Sequence, residues 1–253
     1  MNLKIKTGVT GLDEMLYGGV YEKSVTSING AAGTGKTTLG LQFIVEGIKS
    51  GEPGIVVLFE QFPEQVYRDS ANYGWNFKEY EKDNLLKIIF TSPETFEKEL
   101  ESEKGLLDQL THKEGYKRIL VDPVTYFRYL NSSDSSLRKA YNKLTNGIKR
   151  CGLTGFLTTE TSHFFGESGE IDEELAFVVD NIILLRYVEI ESKILNAVAI
   201  LKTRGSNRIK EIREYEVTEK GVTVSEKFKN REGILTGTPT KTWAEKMAND
   251  FEL

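Results

Sequence analysis

The run Gly30-Ala31-Ala32-Gly33-Thr34-Gly35-Lys36-Thr37 carries the side chains and spacing of a phosphate cradle. It fits G-x-x-x-x-G-K-[ST] at every fixed position. The glycines let the backbone curl, so that successive N–H groups point inward at phosphate oxygens. A helix starting here adds its unpaired N-terminal donors and the positive end of its dipole, both favourable to an anion. Lys36 then reaches the β- and γ-phosphates of a nucleotide, the Thr37 hydroxyl sits on Mg²⁺, and Thr38 extends the cradle. A β-rich run, Ser24-Val25-Thr26-Ser27-Ile28, precedes the loop, and an amphipathic pattern (Leu39, Leu41, Phe43, Ile44, Ile48) follows it. Strand, loop and helix in that order are what the motif requires.

A cradle of this kind works with an acid at the end of a second buried strand, which holds the Mg²⁺ shell. Ile119-Leu120-Val121-Asp122 supplies one, a Walker B candidate. The plainer alternative is a strand that ends in a turn aspartate before Pro123. Hydrolysis also asks for a group that orients or deprotonates the attacking water. Glu60 follows the apolar run Ile55-Val56-Val57-Leu58-Phe59, and in a parallel sheet the carboxyl ends of the strands gather at one edge. It reads as a base facing the γ-phosphate or as a surface acid at a strand end. His163, in a polar loop after Thr158-Thr159-Glu160, reads as solvated. Cys151 near a helix end reads as an inert packed thiol, and Tyr73, Trp75 and Phe77 read as core. The alternating Arg204, Arg208, Lys210 and Arg213 suit nucleic acid, a partner subunit or solvent equally.

The elements that must hold these groups follow from the hydrophobic pattern. Short apolar runs bounded by turn residues alternate with helical segments, which predicts an α/β fold with a mostly parallel twisted sheet flanked by helices. Buried strands are expected at Ile55–Phe59, Leu85–Phe90, Ile119–Val121, Gly155–Thr159, Ile182–Leu185 and Val198–Leu201. Helices are expected at Thr37–Lys49, Glu64–Tyr73, Glu94–Leu110 and Leu137–Arg150. Beyond Val198 the pattern changes: Ile212–Val217 and Val222–Val224, turned by Glu219-Lys220-Gly221, predict an antiparallel β-hairpin on the sheet. With no repeat or linker before the C-terminus, the sequence divides into one domain over 1–236 and a polar tail over 237–253.

The 253 residues suffice for a sizeable core, and 39% hydrophobic with 28% charged residues describes a soluble globular chain. No apolar run is long enough to span a bilayer, and Met1–Lys6 lacks the apolar core of a signal peptide. A single cysteine excludes an internal disulfide and suits the reducing cytoplasm; with only two histidines, a zinc site is not expected. The net charge of −5 argues against strong non-specific DNA binding by the monomer, while leaving room for a local basic strip.

Several segments together resemble one family. Gly11-Leu12-Asp13-Glu14-Met15-Leu16-Tyr17-Gly18-Gly19, ahead of the loop, resembles the opening G-[LF]-D-x-x-L-x-G-G of RecA/RadA/KaiC ATPases. Phe59-Glu60-Gln61-Phe62-Pro63 is similar to the F-E-E-x-P segment of KaiC. Val179–Ile190, Ile200-Leu201-Lys202-Thr203-Arg204-Gly205-Ser206, Ile212–Tyr215 and Gly237–Thr240 continue the similarity over almost the whole chain. The resemblance is to a single-domain KaiC-like protein of archaeal type, matching one half of the two-domain clock ATPase. It implies a RecA-like P-loop NTPase core, ATP or ADP with Mg²⁺, and a homohexameric ring with nucleotide between subunits. It also implies that Glu60 is the catalytic glutamate, and that Lys202 and Arg204 form a basic pair inserted towards a neighbouring subunit's γ-phosphate.

Three departures qualify what the resemblance implies. Gln61 replaces the second glutamate of a pair, Pro123 follows the Walker B acid where serine is more usual, and Ala176-Phe177 stand where the clock kinase carries adjacent Ser and Thr phosphorylation sites. Without hydroxyls at those positions that autophosphorylation cycle cannot run there. The expected activity is therefore slow ATP hydrolysis by a ring coupled to an unknown protein partner. Two other readings remain: a nucleotide-responsive scaffold without turnover, and a RadA-like DNA-dependent ATPase, against which the acidic charge argues.

Overall fold

Strands form where β-branched and aliphatic residues run uninterrupted, and the computed structural model, which describes residues 3–102, 105–161, 171–229, 231–236 and 239–241, places one at each such run. The first half contains β1 (Lys4–Ile5), α1 (Leu12–Met15), β2 (Val20–Tyr21), β3 (Val25–Gly30), α2 (Lys36–Lys49), β4 (Gly54–Leu58), α3 (Pro63–Ala71), α4 (Phe77–Lys82), β5 (Leu86–Phe90), α5 (Pro93–Glu101) and α6 (Leu106–His112). The second contains β6 (Arg118–Asp122), α7 (Tyr126–Leu130), α8 (Asp134–Arg150), β7 (Thr154–Glu160), α9 (Glu173–Val178), β8 (Asn181–Ile190), β9 (Lys193–Thr203), β10 (Arg213–Thr218), β11 (Gly221–Lys227), β12 (Arg231–Glu232) and β13 (Thr240–Lys241).

The main sheet runs in the order β11-β10-β9-β8-β3-β7-β6-β4-β5. From β8 to β5 all neighbours are parallel, while β9, β10 and β11 continue antiparallel. Alternation along each parallel strand feeds two cores. Val56, Leu58 and Leu120 pack with Leu39, Phe43 and Val66 from α2 and α3. Ile55, Val57, Ile119 and Val121 pack with Leu100, Leu107, Leu144 and Ile148 from α5, α6 and α8 on the other face. Because the strands are parallel, β3, β4, β6 and β7 all end at one edge.

A buried arginine ties the two strands and the helix that matter most. Arg118, at the start of β6, donates to Glu52 Oε2 at 2.5 Å and to the backbone oxygens of Phe43 and Lys6, each at 2.9 Å. Its guanidinium lies 4.6 Å from the Phe43 ring, which itself stacks on Phe156 of β7 at 4.0 Å. An unpaired buried charge costs about 3–5 kcal/mol, so these partners are required rather than ornamental. The space comes from Gly47, where a Cβ would stand 2.4 Å from Arg118 Cδ.

The fold class stands as expected, and the details differ in several places. The single helix expected over Glu94–Leu110 is two, because the chain turns extended at Ser102 and Gly105 and the Glu99 carboxylate accepts the Leu106 N–H at 2.8 Å. The strand expected at Val198–Leu201 is one arm of a long hairpin with β8, turned by Glu191 and Ser192 at positive φ, so antiparallel pairing begins one strand earlier than predicted. Helix α8 starts at Asp134 rather than Leu137, since Ser133 caps it by accepting from the Ser136 N–H. Within the tail, Thr240–Lys241 pair with Arg231–Glu232. His163 and residues 242–253 lie outside the described residues. The expected core aromatics Trp75 and Phe77 are buried.

Candidate nucleotide site

β3 ends at Gly30 and α2 begins at Lys36, so the Gly30–Thr37 run is a strand-to-helix loop as its spacing requires. Its shape is held from behind. Tyr215 of β10 is buried and donates to the Thr34 carbonyl at 2.5 Å, and Thr34 Oγ1 donates to the Ala31 carbonyl at 2.8 Å. Burial, and then the nearby Tyr187, keep the Tyr215 phenol far above its ordinary pKa, so it stays a donor. Gly33 has φ +81°, and a Cβ there would meet the Tyr187 hydroxyl at 2.7 Å. Lys36 is buried and donates to the Ala31 carbonyl at 2.9 Å. Burial pulls its pKa down, while Glu160 and Asp122 oppose that shift.

Asp122, the last residue of β6, is buried beside this loop. Its Oδ2 accepts from the Thr37 hydroxyl at 2.7 Å, and its Oδ1 accepts from Thr158 of β7. Desolvation raises its pKa, against the opposing pull of the two hydroxyls and Lys36. A buried carboxylate made costly to ionise, next to a hydroxyl on a phosphate loop, fits a hard dication. Mg²⁺ takes one or two protein oxygens and fills its shell with phosphates and water, so Thr37 and Asp122 are the residues that could hold it. Among the described residues no group of three or more His, Cys, Asp or Glu stands where it could hold a metal unaided.

Glu60 leaves the end of β4 next to β6, with Leu58 paired to Asp122 and the Phe59 N–H donating to the Asp122 carbonyl at 3.2 Å. Thr37, Glu60, Gln61, Phe62, Asp122 and Glu160 line one cleft of 420 Å³. A neighbouring cleft of 750 Å³ is walled by Asp134, Glu160, Asp172, Glu173 and Glu174 with Arg128. The smaller cleft is the candidate nucleotide site, because it alone of the two is lined by Thr37 of the loop and by Asp122.

Sequence reasoning missed two groups here. Glu160 ends β7 opposite Gly30, a strand-end acid like Asp122, but two threonines rather than an apolar run precede it. Tyr126 has its phenol pushed up by burial and then by Glu60, to which it hydrogen-bonds; nothing in its local sequence announced this.

The basic pair is elsewhere. Thr203 pairs with Asn181, and Asn181 with Thr26 at the start of β3, so Lys202 and Arg204 lie at the sheet edge opposite the loop. Thr26 and Gly30 alone are about 13 Å apart along the strand. Lys202 Nζ donates to the carbonyls of Ala176 and Val179, each at 2.7 Å, and Arg204 donates to that of Phe177 at 2.7 Å. Arg208 and Arg213 are also tied within the chain, to the Ile200 carbonyl and to Glu14 and Glu211.

A parallel sheet with a P-loop after its central strand, acids at the ends of the adjacent strands and an antiparallel extension defines a P-loop protein with a RecA-like core. A family model described as "ATPase: KaiC" matches residues 5–229. The circadian clock oscillator protein KaiC of Thermostichus vulcanus is 34% identical over 246 residues, covering 95% of this chain and 46% of that protein. That of Acaryochloris marina is 34% identical over 242 residues, covering 95% and 45%. The circadian clock protein KaiC3 of a Synechocystis species is 33% identical over 241, covering 95% and 47%. This chain belongs to the KaiC ATPase family, and it spans about half the length of these relatives. Membership supports an ATP-binding, RecA-like ATPase. Among the described residues no helix is long and apolar enough to cross a membrane.

Proposed function

We propose that the chain hydrolyses ATP slowly, with Mg²⁺, as a homohexameric ring whose sites lie between subunits and whose nucleotide state is read by a protein partner. The observation that carries this reading is the convergence of Thr37, Asp122 and Glu60 on one cleft from three separate segments, with Lys36 next to Thr37 on the loop. Lys36 and the loop amides bind and orient the phosphates, and Glu60 takes the proton of the attacking water. Thr37 and Asp122 would hold Mg²⁺, which when bound would neutralise charge on the phosphates. Lys202 and Arg204 of an adjacent subunit complete the site, because the opposite edge of the sheet puts them out of reach of their own loop. A cation supplied in trans stabilises charge on the transferring phosphoryl group.

Glu60→Gln separates binding from turnover. The amide keeps the shape and can hydrogen-bond water, but it accepts no proton at neutral pH. ATP affinity by calorimetry is expected to stay near wild type while hydrolysis falls about a hundredfold or more. Retained turnover moves the role to Gln61 or to no base at all.

Asp122→Asn has a double signature. Its folded-state pKa is raised, so ionisation burdens the folded protein at pH values above that raised pKa and not below the ordinary carboxylate range. Without metal or nucleotide, the variant should therefore melt higher than wild type at neutral pH, with the difference vanishing as the solution is acidified. In the same variant the Mg²⁺ dependence of ATP binding should weaken. A pH-independent melting offset, or an unchanged metal titration, returns Asp122 to a turn residue.

A further inference from the structure

Two exposed aromatic surfaces stand at opposite edges of the main sheet. At the loop edge, Phe62 and Phe90 pack against each other with ring centroids 4.8 Å apart, yet are 58% and 44% exposed. Phe62 lines the phosphate cleft with Glu60 and Asp122. At the other edge, Phe177 of α9 is 59% exposed, with the Arg138 guanidinium 4.5 Å from its ring. Single exposed rings are ordinary on a protein surface, so what sets these apart is place: one pair borders the phosphate cleft and Phe177 borders the basic pair.

Phe177 is locked to the basic pair. Arg204 donates to the Phe177 carbonyl, and Lys202 donates to the nearby carbonyls of Ala176 and Val179. Whatever Arg204 approaches, Phe177 approaches with it. The two edges are also complementary in charge: Lys149, Lys202 and Arg204 gather around the Asp180 carboxylate on one, and Glu60, Asp122 and Glu160 line the cleft at the other. That complementarity makes a second copy of this chain the occupant.

We propose that Phe177 of one copy packs onto the Phe62–Phe90 pair of the next, forming an apolar wall that closes the phosphate cleft against bulk water. The inference rests on the reading in which Arg204 serves a neighbour's site, and it adds a residue and a role to that interface. An aromatic lid beside the reacting phosphate excludes water other than the one Glu60 addresses and strengthens every charge interaction inside.

The chain's own thiol leaves the test clean. Cys151 is its one cysteine, buried, with a pKa pushed up to about 11 by burial. Chains carrying Phe177→Cys and Phe62→Cys are mixed with ATP and Mg²⁺, treated with a short bis-maleimide, and run in parallel through sedimentation. The control replaces Phe177→Cys by Ile194→Cys. Ile194 is 65% exposed, but at the same edge as Phe62, so a head-to-tail contact keeps the two apart. Covalent dimer is expected at least about tenfold above the control. A ring that assembles but cross-links only at control level overturns the contact and leaves the ring standing; a chain that stays monomeric overturns both. Independently, Phe177→Ala and Phe62→Ala should each raise the midpoint concentration for assembly by about tenfold, and together by less than the product. Multiplicative effects would overturn the pairing, and ATP binding to the monomeric chain should not change in Phe177→Ala, whose ring lies outside the chain's own cleft.

Discussion

Rings built from Arg204→Ala subunits are expected to lose hydrolysis by about a thousandfold or more while still binding ATP. The substitution leaves Lys36, Thr37, Glu60 and Asp122 of the same chain untouched, since Arg204 lies at the opposite sheet edge. What disappears is the cation offered to the adjacent site, whose γ-phosphate then develops charge without a partner. Lys202→Ala should act in the same direction and more mildly, because an ammonium offers a point charge where a guanidinium offers a planar fork. The decisive form of the experiment is a mixture. Arg204→Ala subunits keep an intact Glu60, and Glu60→Gln subunits keep an intact Arg204. Wherever the cleft of the first meets the basic edge of the second, one complete site is rebuilt and activity should partly return. If both variants assemble and exchange subunits yet no mixture regains hydrolysis, Arg204 is structural or acts in cis.

Lys36→Ala should weaken ATP binding by about a hundredfold or more, as expected for losing a buried charge-assisted hydrogen bond to the phosphates. The loop itself should survive, because Tyr215 still holds the Thr34 carbonyl and Thr34 still bonds to Ala31. Calorimetry on the variant, with circular dichroism to confirm folding, reads the outcome. Unchanged affinity in a folded variant would mean that this loop is not the phosphate site.

What could be read from residues alone follows a physical line. β4 and β6 are buried on both faces, so Ile55–Leu58 and Ile119–Val121 are continuous apolar runs, and the acids that close them stand out. The loop is legible because its glycines and lysine are local requirements. The β8–β9 hairpin was not: its turn residues, Glu191 and Ser192, adopt positive φ without the glycine or asparagine that signals such a turn. Nor was the break before α6, where the helical period of the sequence continues while Gly105 and the Glu99 carboxylate start a new helix. Glu160 does not stand out, because Thr158 and Thr159 interrupt the apolar run of β7 just before it. Strand register, which no spacing encodes, sends Lys202 and Arg204 to the far edge; the sequence shows two cations at a strand end and not which end of the sheet that is.

Asp180 has one more consequence. Its carboxylate accepts from the Val25 N–H, where β3 begins, and from Lys149, and its carbonyl accepts from the Arg204 N–H. β3 runs from that clasp to the phosphate loop, so one strand links the chain's own phosphate loop to the edge that carries Lys202 and Arg204. In the proposed ring each member listens through one end of β3 and speaks through the other. Such a circle has a sense of direction: a substitution at Asp180 should blunt cooperativity between sites, lowering the Hill coefficient, while a single isolated subunit binds ATP as before.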